Sequence, residues 1–366
     1  MIKKNYQEAV ARNKRFLKRE MMDGILFKAT VSQNPYAKEE NRDRTWQDRE
    51  CLAVTGKEWI MSNFRSNTSI YQDIEDDTIP TIYPTLHFGE SIYSALLGGE
   101  IQFVGSEYHT CSGAKPLIRE ASDLEKIKDY HENKWVKIFT ESAAYFAAET
   151  KGDFWLNYMI SIDALNLAVE LLGTTEAYQM LYDDEVLLNK IMAFGIDFNY
   201  WFYKHQKSIY EKNNRAALYD AEFYDLYDKT WYSIDAYTIC NPDMYVKFGL
   251  EYQQELINRV GGGMLHTHGT ALLQLLPHIS RLKGLGRLQI GRDLYSGEHM
   301  GLEHLHDTRK MTGDTPLQIN ASHEEFTSRL QNRSLPGGVE YLVHVETVDE
   351  ANRLAYLAKG YHAPSL

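Results

Sequence analysis

Apolar residues recur along this chain in two alternating rhythms. Short apolar runs bounded by turn residues predict strands. The first is Asp23-Gly24-Ile25-Leu26-Phe27-Lys28-Ala29-Thr30-Val31. The others are Thr81 to Leu86, Gly152 to Ile160, Thr230 to Tyr237, Gly263 to Leu265, Arg287 to Ile290, Pro316 to Ile319, and Glu340 to Val345. Longer amphipathic stretches between them predict helices. These are Val136 to Thr150, Ala164 to Leu172, Glu185 to Lys204, Pro242 to Val260, Ala271 to Leu282, Gly301 to Met311, His323 to Gln331, and Asp349 to Lys359. A surface helix is expected from Tyr6 to about Glu20, with Ala9, Val10, Phe16 and Leu17 set among Lys and Arg. The polar region Asn34 to Arg49 reads as a loop entering a helix through Trp46 to Asn63.

From Pro242 onward the alternation is regular, with four βα units in roughly 120 residues, which implies parallel strands covered by helices. About eight strands in all favour a single closed (β/α)8 TIM-type barrel over an open doubly wound sheet. Residues 1–64 read as a helical and loop extension packed on that barrel, and one domain spans 1–366. No G-x-G-x-x-G follows the first strand, Gly284-Leu285-Gly286 precedes a strand and is a turn, and no GK[ST] phosphate loop occurs.

Composition narrows the class further. The 366 residues include 39 basic and 51 acidic side chains, a net charge of −12 that argues against a nucleic-acid surface. No run of about 18 apolar residues occurs, so no membrane span is expected. The start lacks an apolar core behind its charges, so no signal peptide is read there. Cys51, Cys111 and Cys240 are too few and too scattered for a disulfide framework, and a reducing cytoplasm is the expected home. Tyrosine, at 25 residues, suits a large cleft for an amphipathic ligand, or is composition bias alone.

The densest chemical signal is Gly261-Gly262-Gly263-Met264-Leu265-His266-Thr267-His268-Gly269-Thr270. Side chains alternate along a strand, so His266 and His268 share a face at the C-terminal end of a βα unit, where α/β enzymes keep their chemistry. Two imidazoles so placed can bind one metal ion, zinc above all, or serve as hydrogen-bonded polar residues. Further ligands are expected from another strand end. His344 and Glu346 share a face on the last strand, near enough for a shared site in a closed barrel. Asp235 and Cys240 flank the strand before the histidine pair.

Other constellations are weaker. Tyr83-Pro84-Thr85-Leu86-His87-Phe88-Gly89-Glu90-Ser91 places a histidine and a carboxylate directly after a strand. Glu90 reads as a general acid/base or substrate anchor, or as a first-turn carboxylate complementing a helix dipole. His87, Tyr83 and Tyr237 are the substrate-binding candidates, and Glu90, His266 and Asp235 the catalytic ones. Glu298 to Asp307 is rich in ligand-type residues, yet Glu303, His306 and Asp307 read best as a solvated helix face. No H-E-x-x-H and no G-x-S-x-G occurs.

From about Thr81 the chain resembles the uroporphyrinogen decarboxylase superfamily, which includes the cobalamin- and corrinoid-dependent methyltransferases. Phe88-Gly89-Glu90-Ser91 through Gly98-Gly99-Glu100 looks like the family's segment after an early strand, where decarboxylases carry a catalytic aspartate, and Glu90 falls near that place. Leu171-Leu172-Gly173-Thr174 followed by Asp183-Asp184-Glu185-Val186 is similar to its helix, turn and "DDPE" step. Trp231 to Asp235, Cys240-Asn241-Pro242 and Phe248-Gly249-Leu250-Glu251-Tyr252 look like the segment ending in "lSP…F…PY". His266-Thr267-His268-Gly269, with Leu275-Leu276-Pro277 behind it, resembles the family's "HxCG", whose His and Cys bind zinc in the methyltransferase branch.

The resemblance implies a (β/α)8 barrel with its cleft at the strand C-termini. The arginine-rich N-terminal signature of true decarboxylases is missing, which turns the reading away from a porphyrinogen substrate. His268 stands where a Cys is expected, and no Cys follows Cys240. The expected activity is methyl transfer between a small methylated donor and a corrinoid carried by a partner protein, with zinc as a candidate cofactor. The alternatives are lyase chemistry on Glu90, or a non-catalytic barrel binding a corrinoid or tetrapyrrole. A homodimer is a candidate assembly, since exposed barrel helices commonly support one.

Overall fold

The computed structural model describes residues 3–36, 57–82, 91–105, 110–150, 154–213, 221–227, 229–267, 272–291, 302 and 304–364. In chain order the elements begin with α1 (Tyr6–Leu17), β1 (Ile25–Val31), α2 (Lys57–Thr68), β2 (Thr81–Ile82), α3 (Ile92–Leu96) and a hairpin of β3 (Ile101–Gly105) and β4 (Thr110–Ala114). Then come α4 (Ala121–Lys126), α5 (Lys134–Glu149), β5 (Trp155–Leu156), β6 (Ser161–Ile162), α6 (Ala164–Leu172), α7 (Thr174–Asp183), α8 (Glu185–Lys212) and α9 (Ala221–Tyr227). The C-terminal part holds β7 (Trp231–Ser233), α10 (Pro242–Phe248), α11 (Leu250–Val260), β8 (Met264–Thr267), α12 (Leu272–Ile279) and β9 (Arg287–Ile290). It ends with α13 (Leu305–Thr312), β10 (Leu317–Ala321), α14 (His323–Gln331), β11 (Val339–Val345) and α15 (Val348–Lys359). Among the described residues, no helix is long and apolar enough to cross a membrane.

Seven strands form one parallel sheet in the order β1-β11-β10-β9-β8-β7-β6, as the βα alternation predicts. β2 and β5 form a separate parallel pair, and β5 runs on within a few residues into β6. No ladder joins β1 to β2 among the described residues, so the arrangement is consistent with a barrel without closure by strand pairing. The outer edge of β1 is held by side chains. Asp77 Oδ2 accepts from Phe27 N at 3.0 Å and Asp76 Oδ2 from Ala29 N at 2.7 Å. Arg12 Nε lies 2.7 Å from Asp77 Oδ1, and Lys3 pairs with Asp76. These carboxylates take over donors that would otherwise be orphaned.

Local chemistry sets the helix boundaries. Asp163 caps α6 by accepting from Leu165 N and Asn166 N, Asn133 caps α5, and Ser322 caps α14. Asn241 followed by Pro242 starts α10, and Gly249 divides the continuous helix expected over Pro242–Val260 into α10 and α11. A Cβ at Gly249 would fall 2.5 Å from the Tyr245 ring, so only glycine lets the two helices pack there.

Helices pack against the outer face of the main sheet. The outward side chains are apolar: Phe27 stacks on Phe326 of α14 at 5.2 Å, and Phe326 meets Tyr341 at 5.3 Å. The N-terminal ends of the strands are covered by α1 and α9. Leu17, Leu226 and Tyr227 line a small pocket there with Trp231, Met264 and Arg287, and Lys14 of α1 and Lys18 just after it pair with Glu222 of α9. β1, which the sequence placed inside the 1–64 extension, is an integral strand of the sheet.

Candidate active site

The inward face of the sheet is polar. Its side chains come from alternate positions of successive strands: Lys28 and Thr30 on β1, Ser233 on β7, His266 on β8, Arg287 and Gln289 on β9, Gln318 and Asn320 on β10, and Glu340 and His344 on β11. The register aligns His266 with Gln289, Gln289 with Gln318, and Gln318 with Glu340. Adjacent parallel strands lie about 4.8 Å apart, a gap that one amide side chain spans.

Hydrogen bonds follow that rung. His266 Nδ1 lies 2.7 Å from Gln289 Oε1. Gln289 Nε2 donates to Gln318 Oε1, and Gln318 Nε2 donates to Glu340 Oε1. Glu340 ends the row in two ion pairs, with Lys28 Nζ at 2.8 Å and Arg287 Nη1 at 2.9 Å. Both cations also sit over the Tyr227 ring, at 5.9 Å and 5.5 Å. Burial pulls the Glu340 carboxyl upward, but Lys28 and Arg287 outweigh it and hold the group down at about 2. Burial likewise opposes the Lys28 charge, and Glu340 and Tyr227 together more than offset that, raising the ammonium.

At the other end of the rung, His266 Nε2 stands 3.9 Å from Asp235 Oδ2. Ser233 Oγ donates to that same Asp235 oxygen at 2.8 Å. Asp163, at the end of β6, is buried beside them. Loss of solvent, with a smaller push from Asp235, raises its carboxyl to about 7 against the bonds from Asn166 and Leu165. His266 and Asp235, both candidates from the sequence, are therefore neighbours at the C-terminal end of the sheet. Their side chains are 23% and 34% exposed, enough for a ligand to reach them. A cavity of about 650 Å³ opens over the C-terminal ends of β1, β10 and β11, lined by Lys28, Thr30, Tyr71, Asn320, His323 and His344.

The remaining sequence candidates are dispersed. His344 is exposed, with Nε2 2.6 Å from Ser32 Oγ, and β9 and β10 lie between its strand and that of His266. Glu346 is exposed, and its backbone N–H donates to Glu350 Oε2 at 3.2 Å. Tyr237 sits in the core rather than in the cleft: it is 0% exposed, its ring packs edge-on to Tyr245, and its hydroxyl meets the Met192 sulfur at 3.9 Å. The Cys240 thiol is pushed up to about 11 by burial, which works against a ligating thiolate. His306 is tied to Ser334 O at 3.1 Å. Glu90, His87, Tyr83, His268, Glu298 and Glu303 lie outside the described residues. Among the described residues, no group of three or more His, Cys, Asp or Glu is placed to hold a metal ion. His266 Nε2 and Asp235 Oδ2, 3.9 Å apart, stand wider than the roughly 3.4 Å that separates two ligands of a tetrahedral zinc ion with bonds of about 2 Å.

Sequence reading passed over Gln289, Gln318, Glu340, Lys28 and Arg287. The signal was present: each is a polar residue at an alternate position of an otherwise apolar strand, in Leu26-Phe27-Lys28-Ala29, Arg287-Leu288-Gln289-Ile290, Leu317-Gln318-Ile319 and Val339-Glu340-Tyr341.

A methyltransferase from Methanosarcina mazei has a similar solved structure, with a TM-score of 0.61 over 96% of this chain and 98% of that chain, at 12% identity. The likeness is one of fold. No protein-family model matches the chain, and no curated protein matches it.

Proposed function

We propose that this chain is a (β/α)8-barrel enzyme that transfers a methyl group from a small methylated donor to a corrinoid carried by a partner protein. The observation that carries the reading is the pairing of His266 Nε2 with Asp235 at the mouth of a polar-lined sheet interior. The β2–β5 pair would complete the ring between β1 and β6. The fold likeness to a methyltransferase along nearly the whole chain supports the class of reaction.

When a methyl group leaves a heteroatom, that atom gains electron density and must take up a proton. His266 can deliver it from Nε2, and Asp235 stabilises the imidazolium before the proton leaves. The amides and hydroxyls of the inner face hold the donor in line, and the covered N-terminal end of the sheet limits water. If zinc binds, His266 and His268 are the residues that would hold it, and it would supply Lewis acidity toward the leaving group.

The test is spectroscopic. Purified protein is mixed with free cob(I)alamin and a panel of methylated amines, thiols and alcohols, and formation of methylcobalamin is followed by its visible absorption. Methylation that depends on the protein and is lost in His266→Ala supports the reading, and a His266→Ala variant as active as the parent overturns it. Metal content by mass spectrometry, in the parent and in a His266→Ala/His268→Ala double variant, decides the zinc question. Near one zinc per parent chain and none in the variant assigns the site, and no metal in either removes zinc from the proposal.

A further inference from the structure

The direction of every hydrogen bond between Glu340 and His266 is forced by chemistry. An ionised carboxylate only accepts, so Gln318 must turn Nε2 toward Glu340 and Oε1 away from it. That Oε1 can only accept, so Gln289 gives it Nε2 and turns its own oxygen toward His266. An amide oxygen facing Nδ1 requires a hydrogen on Nδ1. The two amides therefore act as one-way links, and the state of the imidazole is decided three strands from where the charge is anchored.

We propose that Glu340 is a positioning residue that sets the tautomer of His266 through Gln318 and Gln289. It keeps the ring proton on Nδ1 and makes Nε2, the atom facing Asp235, the one that exchanges protons or takes a metal. Neutral imidazole in water favours the opposite tautomer, with the proton on Nε2. The arrangement therefore imposes a choice the free side chain does not make. Lys28 and Arg287 share in the role by keeping Glu340 an acceptor. The proposal takes His266 as the working group of the site. The tautomer is measured directly, so failure to transfer methyl groups leaves this test standing.

The experiment is nitrogen NMR of the full chain carrying 15N-labelled histidine rings, at a pH where the ring of His266 is neutral. The His266 signals are identified by their loss in His266→Gln. The wild type is expected to show a protonated Nδ1 and an unprotonated Nε2, and the reverse would overturn the proposal. Gln318→Leu cuts the link while leaving the Lys28–Glu340–Arg287 cluster whole, and the Nε2-protonated form should become the major one. Gln289→Leu should do the same. Gln289→Glu restores an acceptor beside Nδ1 and should restore the wild-type tautomer. Retention of the Nδ1 proton in both leucine variants would overturn the role given to Glu340. Because these variants leave the buried charges in place, the test does not depend on a Glu340 variant folding.

Discussion

Lys28 Nζ sits 2.8 Å from Glu340 Oε1 across the β1–β11 ladder, and both side chains are nearly or fully withdrawn from solvent. Arg287 meets the other Glu340 oxygen at 2.9 Å, so one carboxylate is shared by two buried cations. Glu340→Ala should cost about 3–5 kcal/mol in urea denaturation, because it strands uncompensated charge. A Lys28→Met/Arg287→Met/Glu340→Met triple variant should recover most of that loss. A triple variant as unstable as the single one would show that the cluster does more than neutralise itself.

Asp163 and Glu340 tilt the pH dependence of stability in opposite directions. Asp163 rises from an ordinary value of 3.8 to about 7, so the folded chain holds that proton more tightly than the unfolded chain. Its contribution is fully present below pH 4 and is lost as pH climbs toward 7, by at most about 4 kcal/mol. Glu340 falls from 4.5 to about 2, so its contribution is present above pH 4.5 and is lost as pH drops toward 2. Asp163→Asn should flatten the decline in denaturation midpoint between pH 5 and 7. An unchanged slope would mean that another group titrates there.

Ser233 Oγ holds Asp235 Oδ2 at 2.8 Å, which fixes the carboxylate that faces His266. Ser233→Ala should lower kcat by about 10-fold, the lower end of what loss of a supporting hydrogen bond costs such a site, with stability changed by about 1 kcal/mol. A variant with full activity in the methyl-transfer assay would show that Asp235 needs no such support.

Gly263 opens β8 at φ +126°, and a Cβ there would fall 2.4 Å from the Tyr232 ring and 2.7 Å from Thr230 O. Gly263→Ala should destabilise the chain by about 1–3 kcal/mol, through a backbone conformation that L side chains rarely adopt and a clash with fixed neighbours. Thermal denaturation checks this, and Gly313→Ala, with positive φ but nothing within 4 Å, separates backbone strain from the clash.

Much of the secondary structure was legible. Arg287–Ile290, Ala164–Leu172 and His323–Gln331 appear with the bounds that periodicity predicts. Two caps, Asp163 and Ser322, explain why two of those starts are sharp. The β3–β4 hairpin and α9 were not read. α9 makes its contacts with α1, more than 200 residues away, and such a partnership leaves no local periodicity.

The site was legible only in part. His266 and Asp235 stood out because histidine and aspartate at strand ends are chemically conspicuous wherever they occur. The polar rung did not, because glutamine or glutamate in an apolar strand has no meaning until its face is known.

What the sequence determined by itself was the alternation of strands and helices in the C-terminal part, the parallel sheet, and the place of His266 at the C-terminal end of β8. Backbone periodicity and capping are local properties, and they need only a few neighbouring residues. What the tertiary structure alone decided was which alternate positions turn inward and which of them meet. Lys28 and Glu340, 312 positions apart, become partners only when β1 pairs with β11. Tyr237 went to the core for the same reason: it lies past the end of β7 in a short helical turn, and its burial is set by the neighbours that packing supplies, Tyr245 among them.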